Sequence, residues 1–416
     1  MIQFDSWNTH FWDISQTEID TLIWSIQAKR GDLGFIDIDE NINIQEIQNY
    51  TQSVWNDFDS VVVLWIGGSA LGTKALLESL YGKYYNENTN KTGKNIYVLD
   101  NIDPDTFWDI EKIINISKTL FIFISKSGGT IETLSEYLYF RGQVQEKTSE
   151  WKRHFCFIVW ENCKMRDELE KDFKTFYIPE NIWGRFSVFT AVGLVPLAFS
   201  WVDIDLFLEG ITGSKERMLS LSPDHNPALH LALTQYKYYK EWKNITVFFP
   251  YSSRMFQIGE WYKQLMGESI WKAGEGITLT SSLGVTDQHS QLQLYQDWPQ
   301  DKLFLMLSVE QMKDKIIEAD IPDFTFKKLL DIEKYGTQSS LQNEGHPVCN
   351  ISLRQIGEKH IAELLYIFMF QIAYLGELFQ INAFDQPGVE KSKIITKQKL
   401  KEELWDINVF QKAFYK

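Results

Sequence analysis

Residues 119–133 read TLFIFISKSGGTIET, and their order decides the fold. Phe121 to Ile124 is an apolar, β-branched and aromatic run of the kind that forms a buried strand. It stops at Ser125-Lys126-Ser127-Gly128-Gly129-Thr130, and a helical pattern begins near Ile131. Strand, hydroxyl- and glycine-rich turn, helix is an arrangement that presents free backbone N–H groups at a helix N-terminus. Gly128 and Gly129 let the backbone approach a ligand closely. Ser125, Ser127 and Thr130 add hydroxyl donors, and Lys126 adds positive charge. The combination suits a phosphate monoester on a small molecule. GxxxxGK[ST] is absent, so a nucleoside triphosphate is not the expected ligand.

Outward from this stretch the chain alternates. VVVLWI (61–66), NIYVLD (95–100), HFCFIV (154–159) and TFYI (175–178) are strand-like, with helical segments between most of them. A second series holds NITVFF (244–249), GITLTS (276–281) and KLFLML (302–307). This is the βαβ rhythm of parallel sheets covered on both faces. Residues 1–55 read as helical, as do segments near 355–379 and 395–414. The expected fold is α/β: two tandem αβα sandwich domains with parallel sheets, plus terminal helices. The expected boundaries are a helical segment over 1–55, domains over 56–210 and 225–395, and a C-terminal helix over 396–416. VLWIGGSALGTKAL (63–76) and TVFFPYSSRMFQIGEWYKQL (246–265) echo one another, each placing hydroxyls where a strand gives way to a helix. In open parallel sheets, ligands bind outside the carboxyl ends of strands.

Composition narrows the function. The 416 residues suffice for two or three domains, and 44% hydrophobic with 23% charged content is that of an ordinary globular protein. A net charge of −15 argues against nucleic acid and against a polybasic membrane surface, so any anion site must be local. Three cysteines form neither a disulfide framework nor a CxxC metal pair, which suits a reducing, cytoplasmic compartment. LLYIFMFQIAYLGELF (364–379) contains Gln371 and Glu377 and reads as a buried helix rather than a membrane span. No HExxH, His/Cys cluster, EF-hand loop, GxGxxG or GxSxG is present, so neither a metal nor a nicotinamide cofactor is expected.

Four further segments carry groups suited to chemistry. WYKQLMGESIWK (261–272) puts Gln264 and Glu268 on one helical face beside an apolar stripe of Ile258, Trp261 and Leu265. A carboxylate beside apolar surface tends toward the pKa of a useful base, although a solvated surface glutamate fits the same spacing. GVTDQHSQ (284–291) carries His289 in a polar turn, where it can move protons between oxygens or simply stand exposed. In WGRFSVFTAVG (183–193), Gly184-Arg185 precedes a helix, and the arginine suits either an anionic oxygen or a surface ion pair. NAFDQPGVEKSK (382–393) is a Pro-Gly turn with Gln386, Lys391 and Lys393.

Taken together and in order, these blocks resemble the phosphoglucose isomerases. The resemblance runs through IGGSALG (66–72), SKSGGTIET (125–133), GRFSVFTAVG (184–193), WYKQLMGES (261–269), GVTDQHSQ (284–291) and FDQPGVEKSK (384–393). It implies sugar-isomerase (SIS-type) domains, an aldose–ketose isomerase of hexose 6-phosphates, no cofactor, and a homodimer with a shared active site. By the same resemblance, Ser125, Lys126, Ser127 and Thr130 match the sugar-phosphate loop, and Gly68 and Ser69 match substrate contacts. Gly184 and Arg185 match the segment that steadies the enediolate. Gln264 matches a substrate-binding glutamine, Glu268 the proton-transfer base, and His289 the ring-opening histidine, which reaches across from the neighbouring subunit. Gln386 and Lys393 match the groups at the sugar's ring end, with Lys391 a rival for the lysine. Trp183 and Ala383 depart from the usual residues at their positions, as does Lys391-Ser392. A dual glucose/mannose phosphate isomerase and a non-catalytic phosphosugar-binding regulator fit the same blocks.

Overall fold

The computed structural model describes residues 2–5, 14–297, 299–318, 321 and 324–404, apart from the side chains of Ser69 and Leu404. The chain opens with strand β1 (Gln3–Asp5) and helices α1 (Gln16–Ala28), α2 (Ile38–Asn41) and α3 (Ile44–Val54). Strands and helices then alternate: β2 (Ser60–Leu64), α4 (Gly68–Tyr81), β3 (Asn95–Leu99), α5 (Pro104–Ile113) and β4 (Thr119–Ser125). The rhythm continues through α6 (Ile131–Gln145), β5 (Phe155–Trp160), α7 (Arg166–Asp172) and β6 (Lys174–Ile178). Helices α8 (Ala191–Ala198), α9 (Ile204–Met218) and α10 (Pro227–Lys240) follow. The second series is β7 (Ile245–Pro250), α11 (Phe256–Ile270), β8 (Thr278–Ser281), α12 (Leu292–Asp297) and β9 (Lys302–Gln311). It ends with α13 (Phe326–Asn343), β10 (Val348–Gln355) and α14 (Glu358–Leu378), and α15 (Glu390–Leu404) comes last.

Two compact units result, each discontinuous in sequence. One comprises Met1–Asp32, Ala75–Lys83 and Asp203–Ala383; the other comprises Leu33–Lys74, Tyr84–Val202 and Phe384–Lys416. We call them the late and the early unit, after the position of their sheets in the chain.

The early unit holds a five-stranded sheet in the order β3-β2-β4-β5-β6, parallel throughout. Every residue of β2, β4 and β5 is buried, which is why these strands read as continuous apolar runs rather than alternating ones. One face packs Phe121, Phe123, Phe155 and Phe157 against Leu134, Tyr137 and Phe140 of α6. Because β2 lies between β3 and β4, the crossovers after β2 and β4 leave in opposite directions. The ends of β2 and β4 therefore flank a topological switch point, the favoured ligand position in open α/β sheets.

The late unit repeats the theme with the order β1-β10-β9-β7-β8. Its strands are parallel except β1, which pairs antiparallel with β10. Neither β1 nor β10 stands out in the sequence. The first has only three residues, and VCNISLRQ (348–355) mixes polar side chains into its buried stretch. Helix α14 forms the centre of this unit, with every residue from Ile361 to Gly376 buried. It is long and apolar enough to cross a membrane, yet it is wrapped by protein. Its buried Gln371 donates to Gln235 (2.5 Å) and accepts from Tyr262 (2.9 Å), while Glu377 accepts from Ser25 (2.6 Å) and Lys29 (2.5 Å). The two polar residues inside the apolar stretch are thus matched to partners, as buried polar groups must be.

The last helix begins at Glu390, six residues before the expected start, because the Pro387–Val389 turn leads directly into it with an acidic first turn. The remainder of the segment expected to be helical, beyond Leu404, lies outside the described residues.

Candidate functional site

The turn after β4 has the make-up expected of an anion cradle. Ser125, the last residue of the strand, is fully buried, and its hydroxyl bonds that of Thr130 (3.1 Å). Thr130 is the N-cap of α6, but its side chain makes no capping bond to the first-turn amides. Those amides, with the positive end of the helix behind them, are what a phosphate oxygen binds. Ser127 accepts from the Gly129 N–H (3.2 Å), which shapes the tip of the turn. Gly128 has φ of +72°, and a methyl group there would sit 2.6 Å from Met165 Sδ and 2.9 Å from Cys163 Sγ. Only glycine meets both demands, so the two sulfurs form a tight seat under the loop. That seat is invisible in the sequence, where Cys163 is one of three scattered cysteines.

Two cations serve this unit. Lys126 lies over the Trp160 ring at 5.8 Å from its centroid. Desolvation, together with repulsion from the Arg185 guanidinium, holds its ammonium below the ordinary lysine range, and Glu180 opposes this. Lys126 and Arg185 are therefore close enough to feel each other, a pairing of like charges that an anion relieves. Trp160 is itself held by its ring N–H, which donates to the Ile182 carbonyl (2.7 Å).

Arg185 sits in a single helical turn (Gly184–Phe186) and is only 2% exposed. Its Nη1 donates to Gln386 Oε1 (2.7 Å) and its Nη2 to the Asp385 carbonyl (3.2 Å). Phe384 packs against Phe35, Trp183 and Phe186, with ring centroids 6.3, 5.0 and 5.4 Å apart, and this cluster holds the 384–386 segment beside Arg185. Trp183, one of the unusual residues, thus has a packing role. At the end of β2, a methyl group on Gly68 would lie 2.8 Å from Arg185 Cα and 2.9 Å from its N. Gly68, Arg185 and Gln386, more than a hundred residues apart from one another, are brought together. The Ser69 side chain is outside the described residues.

The late unit carries the second set. On α11, Gln264 Nε2 donates to Glu268 Oε1 (2.8 Å), and both are half-buried. Ile258, Trp261 and Leu265 are buried, as the helical spacing predicts, and they fix the face on which the pair stands. His289 ends a short turn of helix after β8 (Thr286–His289) and is exposed. That turn is pinned by its neighbours. Asp287 accepts from the Leu283 N–H (2.7 Å) and Ser290 hydroxyl (2.6 Å), and Gln288 donates to Tyr251 (2.8 Å), Thr337 (2.5 Å) and the Glu333 carbonyl (3.1 Å). A rigid turn that holds an exposed imidazole is suited to serving a reaction beyond its own surface. In the early unit, Lys393 is exposed on α15 and pairs with Glu390 (2.9 Å). Lys391 is two positions earlier, about 200° around the helix, so the two lysines point to different sides.

Comparison with known proteins identifies the type of molecule. Residues 37–294 match the family model described as phosphoglucose isomerase. The chain is 35% identical over 399 residues to a glucose-6-phosphate isomerase of Methanocaldococcus jannaschii, covering 94% of this chain and 96% of the relative. It is 36% identical over 395 residues to that of Carboxydothermus hydrogenoformans, covering 89% and 85%. Among solved structures, a hypothetical protein of Thermus thermophilus matches at a TM-score of 0.86 and 30% identity, covering 96% of this chain and all of the other. A glucose-6-phosphate isomerase of Chlamydia trachomatis has the same fold at a TM-score of 0.81 and 19% identity, covering 98% and 90%.

Proposed function

Because the chain belongs to the phosphoglucose isomerase family and interconverts glucose 6-phosphate and fructose 6-phosphate, we propose the following division of labour among its residues. Ser125, Ser127, Thr130 and the first-turn amides of α6 hold the phosphate, with Lys126 as a nearby cation. Gly68 and Ser69 contact the sugar. The phosphate does not react; its binding energy positions the chain of carbons. His289 and Lys393, with Gln386, open the ring by moving a proton between the ring oxygen and the C1 hydroxyl. Glu268, oriented by Gln264, takes the proton from C2 and returns it to C1. Arg185, at Gly184-Arg185, stabilises the cis-enediolate, whose negative charge is greater than that of the ground state.

The observation that carries this reading is the early unit's Arg185: a buried guanidinium aimed by Gln386 and the Asp385 carbonyl, crowded against Gly68 and sensed by Lys126. A buried cation so arranged is a fixed dipole for an anion that forms during reaction. The decisive test is a coupled assay on Glu268→Gln and Arg185→Lys proteins, each of which should stay folded and lose turnover. Normal turnover in both would overturn the division of labour.

The enzyme acts as a cytoplasmic homodimer in which His289 serves the neighbouring subunit. Three buried free cysteines support the compartment, and the exposed, rigidly held His289 supports the exchange. Mixing inactive Glu268→Gln and His289→Ala proteins under conditions of subunit exchange should restore activity, since each mixed dimer then contains one intact site. No recovery in verified mixed dimers would show that the histidine works within its own chain.

A further inference from the structure

The helix behind the phosphate cradle carries a carboxyl group that the reaction does not use. Glu136 lies on the buried stripe of α6 with Thr133, Tyr137, Phe140 and Val144. It is fully buried, and neither of its carboxyl oxygens has a hydrogen-bond partner among the described residues. The Thr133 hydroxyl, one turn nearer the cradle on the same face, is likewise buried without a partner. Glu136 follows Thr130 by six residues, which places it about 9 Å along the axis from the phosphate-binding end. An ionised carboxylate in that position would be buried without compensation, so the group stays neutral.

The charged groups around it offer no relief. Asp100, on the loop after β3, and Glu132, on α6 itself, both act against its ionisation. Lys74 of α4 is committed to Asp100 (2.6 Å). Strands β2 and β4, which pack on α6, carry no titratable side chain. Further neighbours are α5, whose Glu111 accepts from Tyr139 of α6 (2.5 Å), and the turns 116–118 and 151–154, with Lys118, Lys152, Arg153 and His154, at the opposite end of α6. On α6, Arg141 lies over the Tyr137 ring.

We propose that Glu136 is a positioning residue for hexose-phosphate binding, holding α6 and its N-terminal amides in their anion-binding arrangement only while its carboxyl group carries a proton. Burial, with Asp100 and Glu132 adding to it, pushes this group up to about 9. Loss of the proton places a negative charge behind the phosphate and forces α6 to shift in order to solvate it. Both effects weaken binding of a dianion and leave the C2-to-C1 proton transfer at Glu268 untouched. This rests on the assignment of Ser125–Thr130 as the phosphate loop.

The test is KM and kcat for glucose 6-phosphate between pH 7 and 10, in the wild-type protein and in E136Q, which has the shape of the neutral acid. The wild-type KM should rise about tenfold across this range relative to E136Q, with kcat changing in parallel in the two proteins. Infrared difference spectra at pH 7 should show a protonated-carboxyl band in the wild-type that E136Q lacks. Parallel KM profiles would assign any alkaline loss to Lys126 and overturn the proposal, as would absence of the band. If E136Q does not fold, E136M fills the same volume without a titratable group, and the same comparison applies. T130V serves as the control for the loop: its KM should rise already at neutral pH. An unchanged KM there would overturn the loop assignment and the proposal with it, whereas a raised KM with parallel E136Q profiles would overturn the proposal alone.

Discussion

The turn after β4 and the turn after β7 each lead a strand of a parallel sheet into a helix, yet they handle positive charge in opposite ways. After β4, Lys126 rests on an aromatic face within reach of Arg185, and the helix that follows has an N-cap hydroxyl turned away from its amides. After β7, Arg254 donates to the Leu80 carbonyl (2.5 Å) and lies against Gly82, closing the C-terminal end of α4. Its guanidinium is half-buried and held below the usual arginine range by desolvation. A cation at the carboxyl end of a helix satisfies orphan carbonyls and the negative end of the dipole. The first turn leaves its cation over an aromatic ring; the second commits its cation to a helix end. Each turn has a cation beside it, and only the second uses that cation on the fold's own carbonyl.

The largest effect expected concerns the late unit's own contribution. Glu268→Gln should lower kcat by at least ~10²-fold with an unchanged melting temperature, as measured in a coupled assay, because an acid–base group is lost while the Gln264 hydrogen bond can be kept. Near-normal turnover would take Glu268 out of the reaction and leave the late unit without a role in proton transfer at carbon.

Glu136 should lower the early unit's stability in a pH-dependent way. The unfolded chain releases this proton near pH ~4.3, the native state near 9. Between those values the unfolded state binds fewer protons, so stability falls as pH rises and levels off above 9. Denaturant titrations at pH 5 and pH 8 should show the wild-type losing roughly 4 kcal/mol more than Glu136→Gln over that interval. Equal slopes would mean that the carboxyl ionises inside the folded protein without cost.

Two substitutions sharpen the contrast between the turns. Lys126→Met should raise KM about tenfold with little change in melting temperature. Arg254→Met should do the reverse, costing roughly 1–3 kcal/mol of stability with KM nearly constant. If the two variants behaved alike, the distinction between ligand cation and structural cation would fail. The smallest effect marks the baseline. Gly213→Ala, in α9 with nothing within 4 Å of the added methyl, should stabilise by about 0.5–1 kcal/mol and leave both kinetic constants alone.

Much of this was legible in the residues. The buried strands announced themselves because both faces of β2, β4 and β5 are covered, so no polar alternation dilutes them. The strand–turn–helix unit at 119–145 was legible because strand, hydroxyls, glycines and helix are consecutive. The Gln264–Glu268 pair was legible because one helical turn separates them. What could not be read was anything assembled across distance. The bond from Arg185 to Gln386 spans 201 positions, and the sulfurs beneath Gly128 come from a different loop. Glu136 escaped notice for a different reason. In TLSEYLYF (133–140) it reads as a solvated residue between core positions, and only the structure reveals that the core stripe includes it. Strand β10 was hidden by Asn350 and Ser352, although Asn350 is buried and accepts from Lys334 (2.7 Å).

Helix α14 has a consequence for how the protein is made. Its sixteen-residue buried run is the most water-averse piece of the late unit, and it packs on α1, α9, α10 and α11, all of which precede it in the chain. As the polypeptide leaves the ribosome, those helices emerge first, and α14 arrives last to surfaces already in place. The segment with most reason to aggregate is thereby the one with the shortest solitary exposure, a safeguard that lies in the order of synthesis.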